Sequence, residues 1–268
     1  MTRLIRKLSV FALATIAIAL IAPPAHANKL KEILDRGVVR IAVLLDLPPY
    51  GFSDQNQKPA GLDIDLANIL AKDLKVKLKM QQITGINRIP YLLTDKVDLI
   101  IACFGATPTR ARQVAFSSPY ASLYLGVFGP KDLPVKSAAD LGTYSVGAPR
   151  GTTQDIGVTE LAKKYAPNAK IVRFDDEATT IAAQLSGQVD MFATANFTFT
   201  EIAKRNPQAN LAPKFVIRVS SCHIGLRQGE PDLLRWVDTF IFHQRVTGTL
   251  NDLHQKWMGE DMKPLPTF

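Results

Sequence analysis

Two arginines and a pair of threonines carry the most readable chemistry of this 268-residue chain. Arg110 follows a dense apolar run, residues 97–104, after a short loop. A buried strand ending there places Arg110 at the edge of a cleft, where its planar fork fits a carboxylate bidentately. Thr152 and Thr153 open a helical pattern just after Gly151. Free N–H groups and a hydroxyl at a helix start favour an anion. A plain N-cap threonine is the competing reading, and both hold together. Arg88 stands next to Asn87, which can cap a short helix and hold the arginine at its start. Two arginines facing one cleft suit a ligand with two negative groups. The alternative is a structural arginine on the rim. Asp46 ends the first apolar run, where it meets a ligand ammonium or caps its own turn. Tyr50 and Phe52 follow at the rim, against a ligand or over the local core.

The same residues limit what else the chain does. Its four histidines, at 26, 223, 243 and 254, are scattered. There is no nucleophile elbow, no phosphate-cradling glycine loop and no metal-ligand spacing. The reading is therefore of a binding protein with no cofactor and no metal. The net charge is +8, but acidic and basic residues are interleaved, without the basic-aromatic alternation that single-stranded nucleic acid needs. No nucleic-acid partner is expected, and mild basicity suits an anionic small ligand.

The elements that must position these groups alternate. Residues 38–45 read as a buried strand, 63–74 as a helix, 76–83 as a strand, 87–94 as a short helix and 97–104 as another strand. A second unit follows: strand 144–148, helix 154–164, strand 170–174, helix 178–185, strand 188–193 and helix 199–205. Strand-like stretches 122–128 and 215–226 connect the units, and residues 232–257 are helical. Two βα units joined by two extended connectors form two lobes with a cleft at the strands' carboxyl ends.

Residues 1–27 fix the compartment. Arg3, Arg6 and Lys7 precede an apolar run at 10–22, then Pro23-Pro24 and the small residues of Ala25-His26-Ala27. This is the layout of a cleaved secretory signal peptide, and the run is short for a bilayer span of about 20 residues. An uncleaved membrane anchor is the alternative. On this reading the mature protein begins at Asn28 and works in the periplasm. Export permits a disulfide between the two cysteines, Cys103 and Cys222; two buried thiols are the other possibility.

Seven segments in order resemble the family-3 solute-binding proteins of bacterial amino-acid ABC transporters. They are Gly61-Leu62-Asp63-Ile64-Asp65-Leu66, Asn87-Arg88-Ile89-Pro90, Lys96-Val97-Asp98, Thr107-Pro108-Thr109-Arg110, Ala115-Phe116-Ser117-Ser118-Pro119-Tyr120, Gly151-Thr152-Thr153 and Ser186-Gly187-Gln188-Val189-Asp190. The resemblance implies an α/β fold of the type II periplasmic binding proteins: two Rossmann-like lobes joined by two hinge strands, with the ligand cleft between them. Residues 28–122 would open lobe one, 123–218 would form lobe two, and 219–268 would return to lobe one and the C-terminal helices. It implies that Arg110 clamps an α-carboxylate, that Thr152 and Thr153 close on it from lobe two, that an aromatic of the Tyr50–Phe52 loop packs on the ligand side chain, and that Arg88 meets a side-chain carboxylate in acidic-ligand members.

Two departures stand out. Before Arg110 the family places serines or threonines, and here the run is Ala102-Cys103-Phe104-Gly105, so Cys103 and Gly105 stand at ligand-binding positions. After strand 188–193 the family places an aspartate for the ammonium, and here the run is Thr194-Ala195-Asn196-Phe197. Asn196 accepts a hydrogen bond but carries no charge. Either Asp46 or Glu177 substitutes, or the ligand is not an ordinary α-amino acid. The family's re-entering strand pairs with strand 97–104, which implies a Cys103–Cys222 bridge. The implied function is the monomeric, periplasmic binding component of an ABC importer, closing by a hinge on a small carboxylate and presenting it to a membrane permease. The alternative is an enzyme on the same scaffold, a cyclohexadienyl dehydratase-like protein.

Overall fold

The computed structural model describes residues 28–265; the signal-peptide reading of residues 1–27 lies outside them. Helix α1 (Lys29–Arg36) comes first, capped by the Asn28 side chain and ended by Gly37 at φ 66°. The sequence reading placed no element there, although an Asn before and a Gly after are helix boundary signals. Strand β1 (Val38–Val43) follows, then a small antiparallel sheet of β2 (Asp46–Leu47), β3 (Gly51–Ser53) and β4 (Pro59–Ala60). Helix α2 (Leu62–Asp73), β5 (Lys77–Gln82), α3 (Arg88–Leu93), β6 (Leu99–Phe104) and α4 (Pro108–Ala111) complete the first unit.

The next strand, β7 (Val114–Pro130), runs for 17 residues. Then come β8 (Ser145–Pro149), α5 (Thr153–Tyr165), β9 (Lys170–Phe174), α6 (Glu177–Leu185), β10 (Met191–Ala195) and α7 (Asn196–Arg205). A second 17-residue strand, β11 (Leu211–Arg227), returns, followed by α8 (Pro231–Val246) and α9 (Thr249–Met258). Gly248, at φ 84°, divides the C-terminal helical stretch in two.

All the long strands join one sheet in the order β5-β1-β6-β11-β7-β10-β8-β9. At one end β5, β1 and β6 are parallel, and at the other β10, β8 and β9 are parallel. Between them β7 and β11 lie antiparallel along their whole length, from Leu211 opposite Pro130 to Arg227 opposite Val114. The connectors are therefore not short stretches between two sheets but a two-stranded spine through both. β11 follows β7 with four register shifts, two of them flanking His223. Such bulges bend a strand and let it turn from one lobe to the other. One apolar core gathers around β1, β6, α2, α8 and α9, and separate cores form beneath β8 and β10.

Candidate functional site

The carboxyl ends of β1, β6, β8 and β10 converge on a cleft between the two parallel ends of the sheet. Arg110 enters it from α4. Thr107 caps that short helix, accepting from the Arg110 N–H at 3.2 Å, and Pro108 sits at its first position. The buried guanidinium donates to the Gly105 carbonyl at 2.7 Å and, across the cleft, to the Gly151 carbonyl at 2.9 Å. It lies 4.8 Å from the centre of the Phe104 ring. Burial, and then repulsion from Arg88 and Arg218, lowers its pKa to about 9, so it stays a cation at neutral pH.

Opposite it stands the start of α5. Thr152 is the cap: its hydroxyl accepts from the Asp155 N–H at 3.3 Å and donates to the Pro149 carbonyl at 2.7 Å. Thr153, at the first helical position, lines the cleft close to Gly105. The first N–H groups of α5 have no acceptor within the helix and carry its positive end.

Arg88 is buried at the start of α3 and also faces the cleft. Asn87 does not cap that helix, contrary to the sequence reading; its side-chain amide donates to Thr84 at 2.9 Å instead. A short 3₁₀ turn, Gly85–Asn87, leads directly into α3 and leaves Asn87 in a helical conformation, where no cap can form. The Arg88 guanidinium donates to the Ala102 carbonyl at 2.8 Å and lies 5.7 Å from the Phe104 ring centre, while its Nε has no partner. Burial lowers its pKa; Asp46, Asp63, Tyr120 and Glu177 act the other way. Arg88 is thus already faced by carboxyl groups of the protein.

The acidic side of the cleft comes from both lobes. Asp46 of β2 accepts from the backbone N–H of Glu177 at 2.9 Å, joining the two lobes, and burial raises its pKa. Glu177 is 4 % exposed. Its carboxyl group accepts from the Thr194 hydroxyl and from the Gln154 amide, the latter at 3.2 Å. Burial, with Asp46 nearby, raises its pKa to about 8. Beneath the site Asp63 accepts from the Tyr120 hydroxyl at 2.7 Å, and Tyr120 in turn accepts from the Cys103 N–H at 3.0 Å. Burial raises Asp63 to about 6. Cys103 lines the cleft and is disulfide-bonded to Cys222, with Cα atoms 4.3 Å apart.

Three predicted ligand contacts lie elsewhere. Tyr50 is fully buried in the core of the first lobe, because the turn after β2 folds it inward. Phe52 packs edge-on against Trp257, 5.7 Å between centroids, with Arg205 over its ring in a separate groove. Asn196 accepts from the Tyr124 N–H at 3.1 Å, on a groove shared with His254. Conversely Gln154, Thr194 and Ser220 were missed as parts of the site; the first and last line the cleft and Thr194 holds Glu177. Polar residues at a strand end or the second position of a helix give no local sign of a shared cavity.

Two lobes on a common spine, with a buried arginine facing a helix start across the cleft, are the architecture of a protein that binds a small solute between its lobes. The chain matches the family of bacterial extracellular solute-binding proteins, family 3, over residues 39–260, and belongs to it. Among curated relatives, the glutamine-binding protein of an ABC transporter from Bacillus subtilis is 27 % identical over 239 residues, covering 87 % of this chain and 86 % of that one. A mutant of the arginine-binding protein from T. maritima superposes with a TM-score of 0.80 at 31 % identity, covering 87 % of this chain and all of that one (100 %). An ancestral amino-acid-binding protein, described as a precursor of cyclohexadienyl dehydratase, gives 0.76 at 33 % identity, with 87 % and 100 % covered. These neighbours have the type II periplasmic binding fold. Among the described residues no helix is long and apolar enough to cross a membrane.

Proposed function

We propose that this chain is the non-enzymatic, monomeric binding component of an amino-acid importer, exported to the periplasm and presenting its solute to an ABC permease. The observation that carries the reading is the buried Arg110 cation facing the start of α5 across the cleft. A ligand carboxylate there meets a guanidinium from one lobe and helix N–H groups from the other, so binding favours closure. Residues 28–122 with 219–268 would form one moving body and 123–218 the second, with β7 and β11 as the hinge. Glutamine and arginine are the solutes named for two of the relatives, which supports an amino acid as the class.

A thermal-shift screen tests this. L-Glutamine, L-arginine, L-glutamate and L-cysteine are compared with counterparts lacking the α-carboxylate, such as agmatine for arginine and cysteamine for cysteine. At least one amino acid should raise Tm by mass action while its counterpart does not. Equal shifts with the decarboxylated amine would sink the carboxylate assignment. One observation favours a second reading, a dehydratase: Glu177 is a buried acid able to hold a proton at neutral pH, as general-acid chemistry requires. Incubation with prephenate, assayed for product, separates the two.

A further inference from the structure

We propose that Glu177 receives the ammonium group of the ligand and releases its own proton to solvent as it does so. The inference rests on the amino-acid reading of the cleft and adds to it the second half of the site.

An ammonium entering a closed cleft needs a charged partner, because desolvating it alone is costly. Ala195, at the end of β10, offers none. Three acidic residues line the cleft, Asp46 from one lobe and Asp176 and Glu177 from the other. Asp176 is the cap of α6, its carboxylate accepting from the Thr179 N–H at 2.7 Å. Asp46 is engaged by the backbone at the start of α6, holding the Glu177 N–H at 2.9 Å. The Glu177 carboxyl group is different. It is held only by side chains, Thr194 on one oxygen and Gln154 on the other. A carboxylate has about four acceptor positions, so lone pairs remain for a ligand in the cavity that Glu177 lines. Thr194 and Gln154 fix its rotamer from β10 and α5, so the acceptor is pre-oriented.

The surroundings decide its protonation. Asp46 on β2 is the like charge that faces Glu177, and Arg88 on α3 the opposite one; Thr194 and Gln154 are neutral donors. With its pKa raised to about 8, Glu177 is mostly protonated at pH 7. An arriving ammonium supplies the positive partner that burial withholds. The balance is simple: the ligand keeps its three N–H protons, the Glu177 O–H breaks, the oxygen keeps the pair, and one proton passes to buffer.

The experiment is titration calorimetry with L-glutamine, L-arginine, L-glutamate and L-cysteine at pH 7, where each ligand keeps its ammonium protons, in phosphate and in Tris. The dependence of heat on buffer gives the protons released. For the amino acid that binds, release should be most of one proton. E177Q should release none and bind about 10- to 100-fold more weakly. The matched desamino acid (glutarate for glutamate, 3-mercaptopropionate for cysteine) should release none from the wild-type protein. Wild-type binding without proton release at pH 7, or equal affinity in E177Q, overturns the proposal while leaving the amino-acid reading standing. Absence of binding by all four in both calorimetry and thermal shift overturns that reading, and the proposal with it. The proton count on the wild-type protein needs no variant to fold.

Discussion

Replacing Glu177 by glutamine should stabilise the ligand-free protein at alkaline pH and leave it nearly unchanged at acid pH. Burial raises this carboxyl group from 4.5 to about 8 in the folded state. Between those values the folded protein holds a proton that the unfolded chain has lost. Stability therefore falls as pH rises through that window and levels off above it. At 1.36 kcal/mol per unit, the full penalty is on the order of 5 kcal/mol. Glutamine keeps the shape and a carbonyl for Thr194 but never ionises. Asp63, at about 6, is common to both proteins and cancels in the difference. The variant's advantage should be under about 1 kcal/mol at pH 5, about 3 at pH 7 and on the order of 5 at pH 9. Urea unfolding at the three pH values, followed by the fluorescence of Trp236 and Trp257, measures it. A difference that stays flat from pH 5 to 9, or a variant less stable at pH 9, would refute the reasoning.

The other predictions concern the carboxylate, the lobe contact and the disulfide. Arg110→Ala should cost about 2–5 kcal/mol of affinity for the bound amino acid, read by calorimetry, with an unchanged urea midpoint counting as the folding control. Gly105→Ala sets a Cβ 2.9 Å from the Thr153 methyl group across the cleft; it should weaken binding by about 1–3 kcal/mol, read by calorimetry. Replacing Cys103 and Cys222 together by alanine opens a crosslink spanning 119 residues and should lower unfolding free energy by about 5 kcal/mol, measured by urea unfolding against the oxidised wild type.

The regular elements of the fold were legible because each has a period. The strand Lys170–Phe174 is read to the residue, and β1, β6 and α5 to within a residue or two of their ends. The spine was less so. β7 begins at Val114, yet Ser117-Ser118-Pro119 reads locally as a turn; pairing with β11 on one side overrides that preference. Arg88, Arg110 and Thr153 were legible as cleft residues because each follows a strand end or opens a helix. The acidic half was legible only as alternatives, Asp46 or Glu177, and the structure lines the cleft with both. Asp176 caps α6, and Glu177, the next residue, is buried. Tyr50, left between ligand and local core, lies in the core, and Asn196 lies on another groove, for a related reason: a residue's place in a loop does not say which side of the loop is wet.

Cys103 is where both long strands are fastened to the first lobe. Its sulfur is bonded to Cys222 on β11, and its N–H donates to Tyr120 on β7, so both long strands attach to one residue at the end of β6. It holds a left-handed backbone conformation, φ 38°, which a non-glycine residue keeps only when its surroundings enforce it. The next residue, Phe104, is the platform on which both guanidinium groups lie. Tyr120 passes the connection on to Asp63, which helps offset the charge of Arg88. The cationic half of the cleft is therefore tied covalently and by hydrogen bonds to the spine. The lobe-two residues, Thr153 and Glu177, reach that half through hydrogen bonds and side-chain contacts alone, at Gly151, Asp46 and Gly105. On the hinge reading, the solute's carboxylate meets a preset arginine platform first, and closure then brings the helix start and the acid to it.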